Sequence, residues 1–486
     1  CADAVEKGHK GPFAGTRPRS MGDGGPPKPG LTDKLQSYAI AGETFTIPEY
    51  YGELSGPMGS GAYGVVCAAV NKRTGEKVAV KKIRGAFNNT EDAKRTLREA
   101  RLLRHFKHDN VISFKDILPP SPDLTFASIY VIMELMDTDL FTIIRSGQTL
   151  EDDHILYFMY QILCGVQYIH SFDVVHRDLK PANLLVNKDC CLKICDFGMA
   201  RGIGPAHHNS KMTEYVVTRW YRAPEVLLRS CGYTKALDVW SVGCIFAELL
   251  LRQPLFPGKN HAHQMHIILD VLGAPTEMGW KNVCEGRTWE CFKDKPREPK
   301  RPLSSFLTKA SPTALDLVKK LLSFDPSQRI SIAEALQHGY LQDVFRASSD
   351  LSQPSGLIPV LAWEDNLFKL SMESPPIQKW RLKELMYNEV RCYHKEMPTW
   401  EEAVHQAKET TDVRGAVDLK RSRPSNSSSS APIPFAPFPD KTAPWAEHQK
   451  KVQQQQQFIA QQQQQKQLIA QQLQQNQMQR GGGGEP

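Results

Sequence analysis

The hydrophobic period of this chain changes near Met136-Asp137, and that change commits it to two packed units of different kinds. Before it, from about Phe45 to Ile83, short β-branched and aromatic runs are broken by turn residues. VVCAAV and KVAVKKI flank the turn Asn71-Lys72-Arg73-Thr74-Gly75, the pattern of a hairpin sheet. One helix follows: in TEDAKRTLREARLLRHF, apolar Ala93, Leu97, Ala100, Leu103 and Phe106 recur at helical spacing, with Thr90 as the expected N-cap. Beyond Asp137 the helical period persists through Leu150–His170, Leu237–Leu251 and Ala314–Leu322. The expected fold is α+β and bilobal, a small sheet-rich lobe over 45–136 and a larger, mainly α lobe over 137–345. A chain of 486 residues needs two units in any case, since single cores stop growing at about 250–300 residues.

Composition narrows the setting. A net charge of +7 is spread over both signs, so direct nucleic-acid binding is not indicated. The 11 cysteines are odd in number and contain no C-x-x-C pair, which argues against a disulfide framework or a zinc site and favours a reducing compartment. The longest apolar run, Val239–Leu251, is interrupted by Ser241, Gly243 and Glu248 and closed by Arg252, short of the roughly 18 residues of a membrane span. No membrane partner is expected. Residues 1–44 are Gly- and Pro-rich without a secretory pattern and are expected to be a disordered tail; the start at Cys1 suggests a fragment. From 398 to 486 the chain turns Ser/Pro-rich and then Gln-rich, with FIAQQQQQKQ and LIAQQLQQNQ forming an imperfect repeat. Ile459, Ile469 and Leu473 are too sparse for a coiled-coil seam, so a solvated tail is expected over a self-associating helix.

Three motifs carry chemistry. Gly59-Ser60-Gly61-Ala62-Tyr63-Gly64-Val65-Val66 fits G-x-G-x-x-G-x-V, whose glycines let backbone N–H groups approach phosphate. It precedes a strand rather than a helix, which disfavours a dinucleotide site. Val78-Ala79-Val80-Lys81 then sets a lysine on the next strand, and Glu99 lies mid-helix as its candidate partner. The third, VVHRDLKPANLL (174–185), is followed by Asp196-Phe197-Gly198. Phosphoryl transfer needs a carboxylate to orient the attacking hydroxyl, oxygen ligands for Mg²⁺ and cations over the phosphates. Asp178 suits the first role, Asn183 and Asp196 the second, Lys81 and Lys180 the third.

On these motifs the sequence from about Tyr50 to Leu341 resembles the eukaryotic protein kinases, which implies their bilobal fold, ATP and Mg²⁺. Ala223-Pro224-Glu225 resembles the end of the activation segment, with Arg329 the implied salt-bridge partner of Glu225, and Asp238-Val239-Trp240-Ser241 the start of the next helix. TEYVVTRWYRAPE, FPGKN and an insert at about 274–300 are similar to the mitogen-activated protein kinases, as is an extension over 346–397 containing WRLKELMYNEVRCYH. DAKRTLRE, HFKHDNVI, DFGMARG and MTEYV look closest to the large extracellular-signal-regulated branch. MELMDTDL is shared with stress-activated branches, but the glutamate between Thr213 and Tyr215 argues against them.

The resemblance implies that Val66, Ala79, Met133, Glu134 and Met136 meet adenine, with Met133 gating the pocket behind it. It implies phosphorylation of Thr213 and Tyr215, each phosphate adding about −1.5 to −2 charges. Arg98, Arg177 and Arg201 would receive the first, Arg219 and Arg222 the second, shaping a pocket for proline after the target residue. Implied partners are an upstream dual-specificity kinase, Ser/Thr-Pro protein substrates including transcription factors, and phosphatases. Cytoplasm and nucleus are the expected locations, with Lys420-Arg421-Ser422-Arg423 a candidate nuclear signal. A scaffold or transcriptional adaptor acting through the Gln-rich tail is the alternative; the presence of Lys81, Glu99, Asp178, Asn183 and Asp196 argues against it as the sole function.

Two departures stand out. Pro57 in Gly56-Pro57-Met58 cannot donate to a ladder just before the glycine loop. After HGYL, the positions aligned with the family's acidic docking patch hold Arg346 and Ser349, with Asp350 remaining, which puts docking of basic peptides in doubt. Cys67 and Cys195 are expected beside the nucleotide, as packing residues.

Overall fold

A computed structural model describes residues 34–410 apart from 62–63, 122–123, 125, 127, 204–218, 229–233, 285–287, 293 and 343–376. The chain divides into units Cys1–Ser422 and Arg423–Pro486, and every described residue belongs to the first. The Gln-rich tail, the candidate nuclear signal, Thr213, Tyr215 and the Arg346–Asp350 patch therefore lie outside the described residues.

Five antiparallel strands, in the order β3-β4-β5-β7-β6, form the smaller lobe's sheet: β3 (Tyr51–Gly61), β4 (Gly64–Asn71), β5 (Glu76–Arg84), β6 (Phe114–Ile117) and β7 (Ser128–Glu134). The β4–β5 turn closes with the N–H groups of Thr74 and Gly75 both donating to the Asn71 carbonyl. β3 continues through Pro57, but its register against β4 shifts between Gly52 and Ser55 and again between Ser55 and Gly59. The strand tolerates proline by bulging around it.

Ordered structure starts earlier than expected. The first strand and the turn of a hairpin of β1 (Leu35–Ile40) and β2 (Glu43–Pro48) lie inside the 1–44 segment read as a tail. Its two turn residues, Ala41 (φ 52°) and Gly42 (φ 77°), both take the left-handed conformation that suits a two-residue hairpin. Alanine in the first position hides the turn from sequence reading, because the usual signals are Asn-Gly and Asp-Gly. Lys82 Nζ donates to Glu43 Oε2 (2.9 Å) and the Thr44 carbonyl (2.8 Å), fastening the hairpin to β5.

Helix α1 (Thr90–His105) buries Ala93, Leu97, Ala100 and Leu103, as its period predicts. Its N-cap is Asn89, not Thr90: Asn89 has extended backbone and its Oδ1 accepts from the Glu91 N–H at 2.8 Å, leaving Thr90 as the first helical residue. The larger lobe follows, with α2 (Leu140–Arg145), α3 (Asp152–Ser171), α4 (Ala236–Leu251), α5 (His261–Leu272), α6 (Glu277–Val283) and α7 (Pro312–Leu321). Small ladders carry its loops: β8 (Thr138–Asp139), β10 (Leu184–Val186) and β11 (Leu192–Ile194) form one, β9 (Val174–Val175) and β12 (Arg201–Gly202) another. The apolar run noted in the sequence is the core helix α4, buried at every position from Leu237 to Leu249. Among the described residues no helix is long and apolar enough to cross a membrane.

The chain then returns to the smaller lobe. Helix α8 (Lys379–Arg391) and helix α9 (Trp400–Thr410) share one buried cluster with Ala93, Leu97 and Ala100 of α1. The boundary at 398 is thus corrected: Trp400, Ala403 and Ala407 bury one face of α9. Thr399 and Glu402 cap it reciprocally, Thr399 N–H donating to Glu402 Oε2 (2.8 Å) and Glu402 N–H to Thr399 Oγ1 (3.3 Å).

Candidate active site

The loop carrying Asp178 is fixed from beneath by Asp238, in the first turn of α4 and fully buried. Its Oδ2 accepts from the His176 N–H and from His170 Nε2, both at 2.8 Å, and its Oδ1 from the Arg177 N–H at 2.9 Å. Burial pushes this carboxyl up, but the hydrogen bond from His170 and the nearby imidazoles outweigh it and hold it below the usual carboxylate range. Arg177 takes a left-handed φ of 70°, turning the chain so that Asp178 follows the anchored pair. Asp238 was quoted in the sequence only as the start of a helix. Its anchoring role, and His170's part in it, were missed because the partners lie over 60 residues away.

Around Asp178 the polar groups converge. Lys180 Nζ lies 2.6 Å from Asp178 Oδ2, while Asn183 Nδ2 donates to the Asp178 carbonyl (2.8 Å) and to Oδ2 (3.2 Å). With the nitrogen of its amide so committed, Asn183 keeps Oδ1 as its acceptor end. Burial raises the Asp178 carboxyl above its ordinary value, partly countered by Lys180.

His176 joins this loop to the next motif. Its Nε2 donates to the Cys195 carbonyl (3.0 Å), so Nδ1 is the acceptor for the Asp178 N–H (3.3 Å). Asp196 sits at φ 64°, ψ 72°, its Oδ1 accepting from the Gly198 N–H at 3.4 Å. Phe197 is buried between Phe106 (centroids 5.2 Å apart) and His176 (4.9 Å). Phe106 follows the end of α1, so this ring couples that helix to Asp196. Cys195, partly buried, packs against the larger lobe's core with its thiol pushed well up by burial, and Cys67 is fully buried with a raised thiol pKa.

Lys81 on β5 and Glu99 on α1 meet across the lobe, with Nζ 3.1 Å from both carboxylate oxygens. Burial works against the ammonium, but Glu99 and then Asp196 hold it charged, its pKa above the ordinary lysine value. The field of Asp196 also reaches Asp178 and Glu99. These groups therefore share one electrostatic environment. An ammonium beside a carboxylate, with a second carboxylate and an amide oxygen nearby, fits a nucleoside triphosphate accompanied by a hard divalent cation, whose ligands are oxygens.

The glycine loop is the β3–β4 hairpin end: Gly59 pairs with Val66, Ser60 with Val65 and Gly61 with Gly64, while Ala62 and Tyr63 lie outside the described residues. At Gly64 a Cβ would stand 1.9 Å from the Lys82 carbonyl, so only glycine fits between these strands. Ala79 pairs with Met133 across β5–β7, and Met136 is buried at the lobe junction. The side chain of Glu134 is committed to the fold: Oε1 accepts from the Ser113 N–H (2.7 Å) and lies 3.2 Å from Lys193 Nζ.

The arginines named as phosphate receivers are all described, although Thr213 and Tyr215 are not. Arg98 donates to the Gly198 carbonyl (2.9 Å), Arg201 to the Ala200 carbonyl (2.8 Å) and Arg219 to the Lys259 carbonyl (3.1 Å). Arg177 and Arg222 line one small cavity with Asp178, Leu179, Tyr221 and Ser241. The implied pair of Glu225 and Arg329 is present and buried, Nη1 to Oε1 at 2.5 Å and Nη2 to Oε2 at 2.7 Å.

Residues 53–341 match the model of the protein kinase domain. The chain is 49% identical over 362 residues to extracellular signal-regulated kinase 1 of Dictyostelium discoideum, covering 74% of this chain and 66% of that protein. It is 49% identical over 354 residues to mitogen-activated protein kinase 5 of Oryza sativa subsp. indica, and 47% over 355 residues to mitogen-activated protein kinase 3 of Arabidopsis thaliana, each covered over 92% of its length. The sole-scaffold alternative is not favoured. The chain belongs to the protein kinases and, within them, to the mitogen-activated protein kinase family of ATP-dependent serine/threonine kinases.

Proposed function

We propose that this chain transfers the γ-phosphoryl group of ATP to serine or threonine followed by proline, and that phosphorylation of Thr213 and Tyr215 switches it on. The observation that carries the reading is the convergence of Asp178, Lys180 and Asn183 beside an intact Lys81–Glu99 pair, within the field of Asp196. In this reading Asp178 orients the attacking hydroxyl and accepts its proton, and Lys180, 2.6 Å from that carboxylate, steadies charge on the transferred group. Asn183, through Oδ1, and Asp196 would hold Mg²⁺, which would supply charge neutralisation at the phosphates. Lys81, kept charged by Glu99, contacts the phosphates together with Gly59, Ser60, Gly61, Ala62, Tyr63 and Gly64. Val66, Ala79, Met133, Glu134 and Met136 contact adenine, Glu134 through its backbone because its side chain is committed elsewhere.

Phospho-Thr213 would recruit Arg98, Arg177 and Arg201, joining α1, the Asp178 loop and the segment after Asp196 in one charge cluster. Phospho-Tyr215 would recruit Arg219 and Arg222 and shape the pocket for the proline. The TEY spacing favours the extracellular-signal-regulated subgroup and its large branch. An upstream dual-specificity kinase, Ser/Thr-Pro proteins including transcription factors, and phosphatases are the proposed partners, and cytoplasm and nucleus the proposed locations. The test is incubation with labelled ATP, Mg²⁺ and a Ser/Thr-Pro peptide library, with and without prior dual phosphorylation. Incorporation into proline-directed sites that depends on Thr213 and Tyr215 is expected. Equal rates for wild type and T213A/Y215F after activation would refute the switch.

A further inference from the structure

Glu389, in the last turns of α8, is a carboxylate with 1% of its side chain exposed, far in sequence from the two arginines it meets. Arg101 Nε lies 3.1 Å from its Oε2 and Arg104 Nε donates to its Oε1 at 2.5 Å. Both arginines belong to α1, one turn apart on the same side of the helix, where two guanidinium groups repel unless an anion stands between them. Burial drives Arg101 down to about 10 despite the attraction of Glu389. Beside them, burial and the charges of Arg104, Arg101 and Lys107 lower His105 to about 4, so it adds no cation at neutral pH. Two arginines of α1 thus face one buried carboxylate.

The same helix turns carry the site. Glu99 precedes Arg101 by two positions, about 3 Å along the axis, and Arg98 donates to the Gly198 carbonyl. Apolar packing of Leu382, Leu385, Met386 and Val390 against Leu97 and Ala100 holds α8 near α1 but resists sliding and rotation weakly. The hydrogen bond from Arg104 Nε is directional, and the Arg101 guanidinium adds charge attraction at 3.1 Å on the other carboxylate oxygen, so together they oppose both motions. Three residues past the end of α8 the chain is held again: His394 Nε2 lies 2.8 Å from Asp116 Oδ1 and 2.9 Å from the Ile117 carbonyl. The anchor on β6 and the clamp on α1 thus brace the helix against the sheet that bears Lys81.

We infer that Glu389 is a positioning residue for phosphoryl transfer, clamping α1 through Arg101 and Arg104 so that Glu99 stays on Lys81. The inference rests on the reading of Lys81 and Glu99 given above. The test compares full-length wild type, E389Q, R104Q, E389Q/R104Q, L385A and E99Q, each dually phosphorylated, by kcat and KM for ATP alongside thermal melting. E389Q is expected to lower kcat about tenfold or more, with R104Q similar and the double variant no worse than E389Q, since one clamp is lost in each. L385A opens a cavity under the same helix without touching the ion pair, and is expected to keep kcat within about twofold at a temperature where all variants are folded. Retention of wild-type kcat by E389Q, or a loss in L385A equal to that in E389Q, would overturn the inference. If E99Q itself retains activity, the reading of the Lys81–Glu99 pair fails instead.

Discussion

Asp238→Asn tests whether the catalytic loop is held by charge or merely by shape. The wild-type carboxylate accepts three hydrogen bonds, from the His176 N–H, the Arg177 N–H and His170 Nε2, with no exposure to water. An asparagine of nearly the same volume turns one acceptor oxygen into an NH₂ that faces a donor. One buried donor is then unsatisfied, at about 1–3 kcal/mol, and the remaining bonds lose charge assistance, about 1 kcal/mol each. The expected loss is about 3–5 kcal/mol of unfolding free energy, read by urea denaturation, with kcat reduced because Asp178 directly follows the two anchored residues. The pH dependence has a definite sign. The folded-state carboxyl is held below the ordinary value, so its contribution is fully present above about pH 4 and is lost as pH falls through the folded pKa. The wild-type advantage over D238N should be flat from about pH 5 to 8 and shrink below about 4. A loss under about 1 kcal/mol with unchanged kcat, or a gap that widens on acidification, would refute the argument.

Asp178→Asn is expected to cut phosphoryl transfer by about 10²–10⁴-fold while nucleotide binding, followed by fluorescence titration, survives. Because burial raises the Asp178 carboxyl, the acid limb of the wild-type pH–rate profile should lie above the ordinary aspartate value near 4. Arg329→Ala strands the buried Glu225 carboxylate and should cost about 3–5 kcal/mol in denaturant titrations. Gly64→Ala should destabilise by about 1–3 kcal/mol and weaken ATP binding, since the new methyl meets the Lys82 carbonyl rather than a side chain that can rotate away.

Much of this arrangement was legible because its information is local. The β4–β5 hairpin, the buried face of α1 and the series Lys81, Glu99, Asp178, Asn183 and Asp196 each depend on residue types at short spacing, and the Glu225–Arg329 pair followed from family resemblance. The misses are of two kinds. Some were local signals of unusual form: the Ala41-Gly42 turn lacks the common residue pair, Asn89 was passed over for its neighbour Thr90, and the Thr399-x-x-Glu402 capping box was hidden by the composition shift after Met397. Others were not local. Asp238 reads as a helix-start residue until the fold brings His170, His176 and Arg177 to it, and Glu389 reads as one charge in an amphipathic helix until α8 lies on α1.

The two nonlocal residues share a physical character that separates them from the motif residues. Asp178, Lys81 and Asp196 must stay near solvent to meet a nucleotide, so their spacing along the chain is constrained by what they hold. Asp238 and Glu389 are buried, at 0% and 1% exposure, and are constrained by the donors that they satisfy, two backbone amides and His170 for the first and two guanidinium groups for the second. Several donors converge on each of them, whereas Glu248, equally buried, accepts one bond, from the Tyr221 hydroxyl at 2.7 Å, and burial raises its pKa. Burial alone therefore does not mark a support of the site; a buried carboxylate on which donors from a catalytic element converge, as the His176 and Arg177 amides do on Asp238, does.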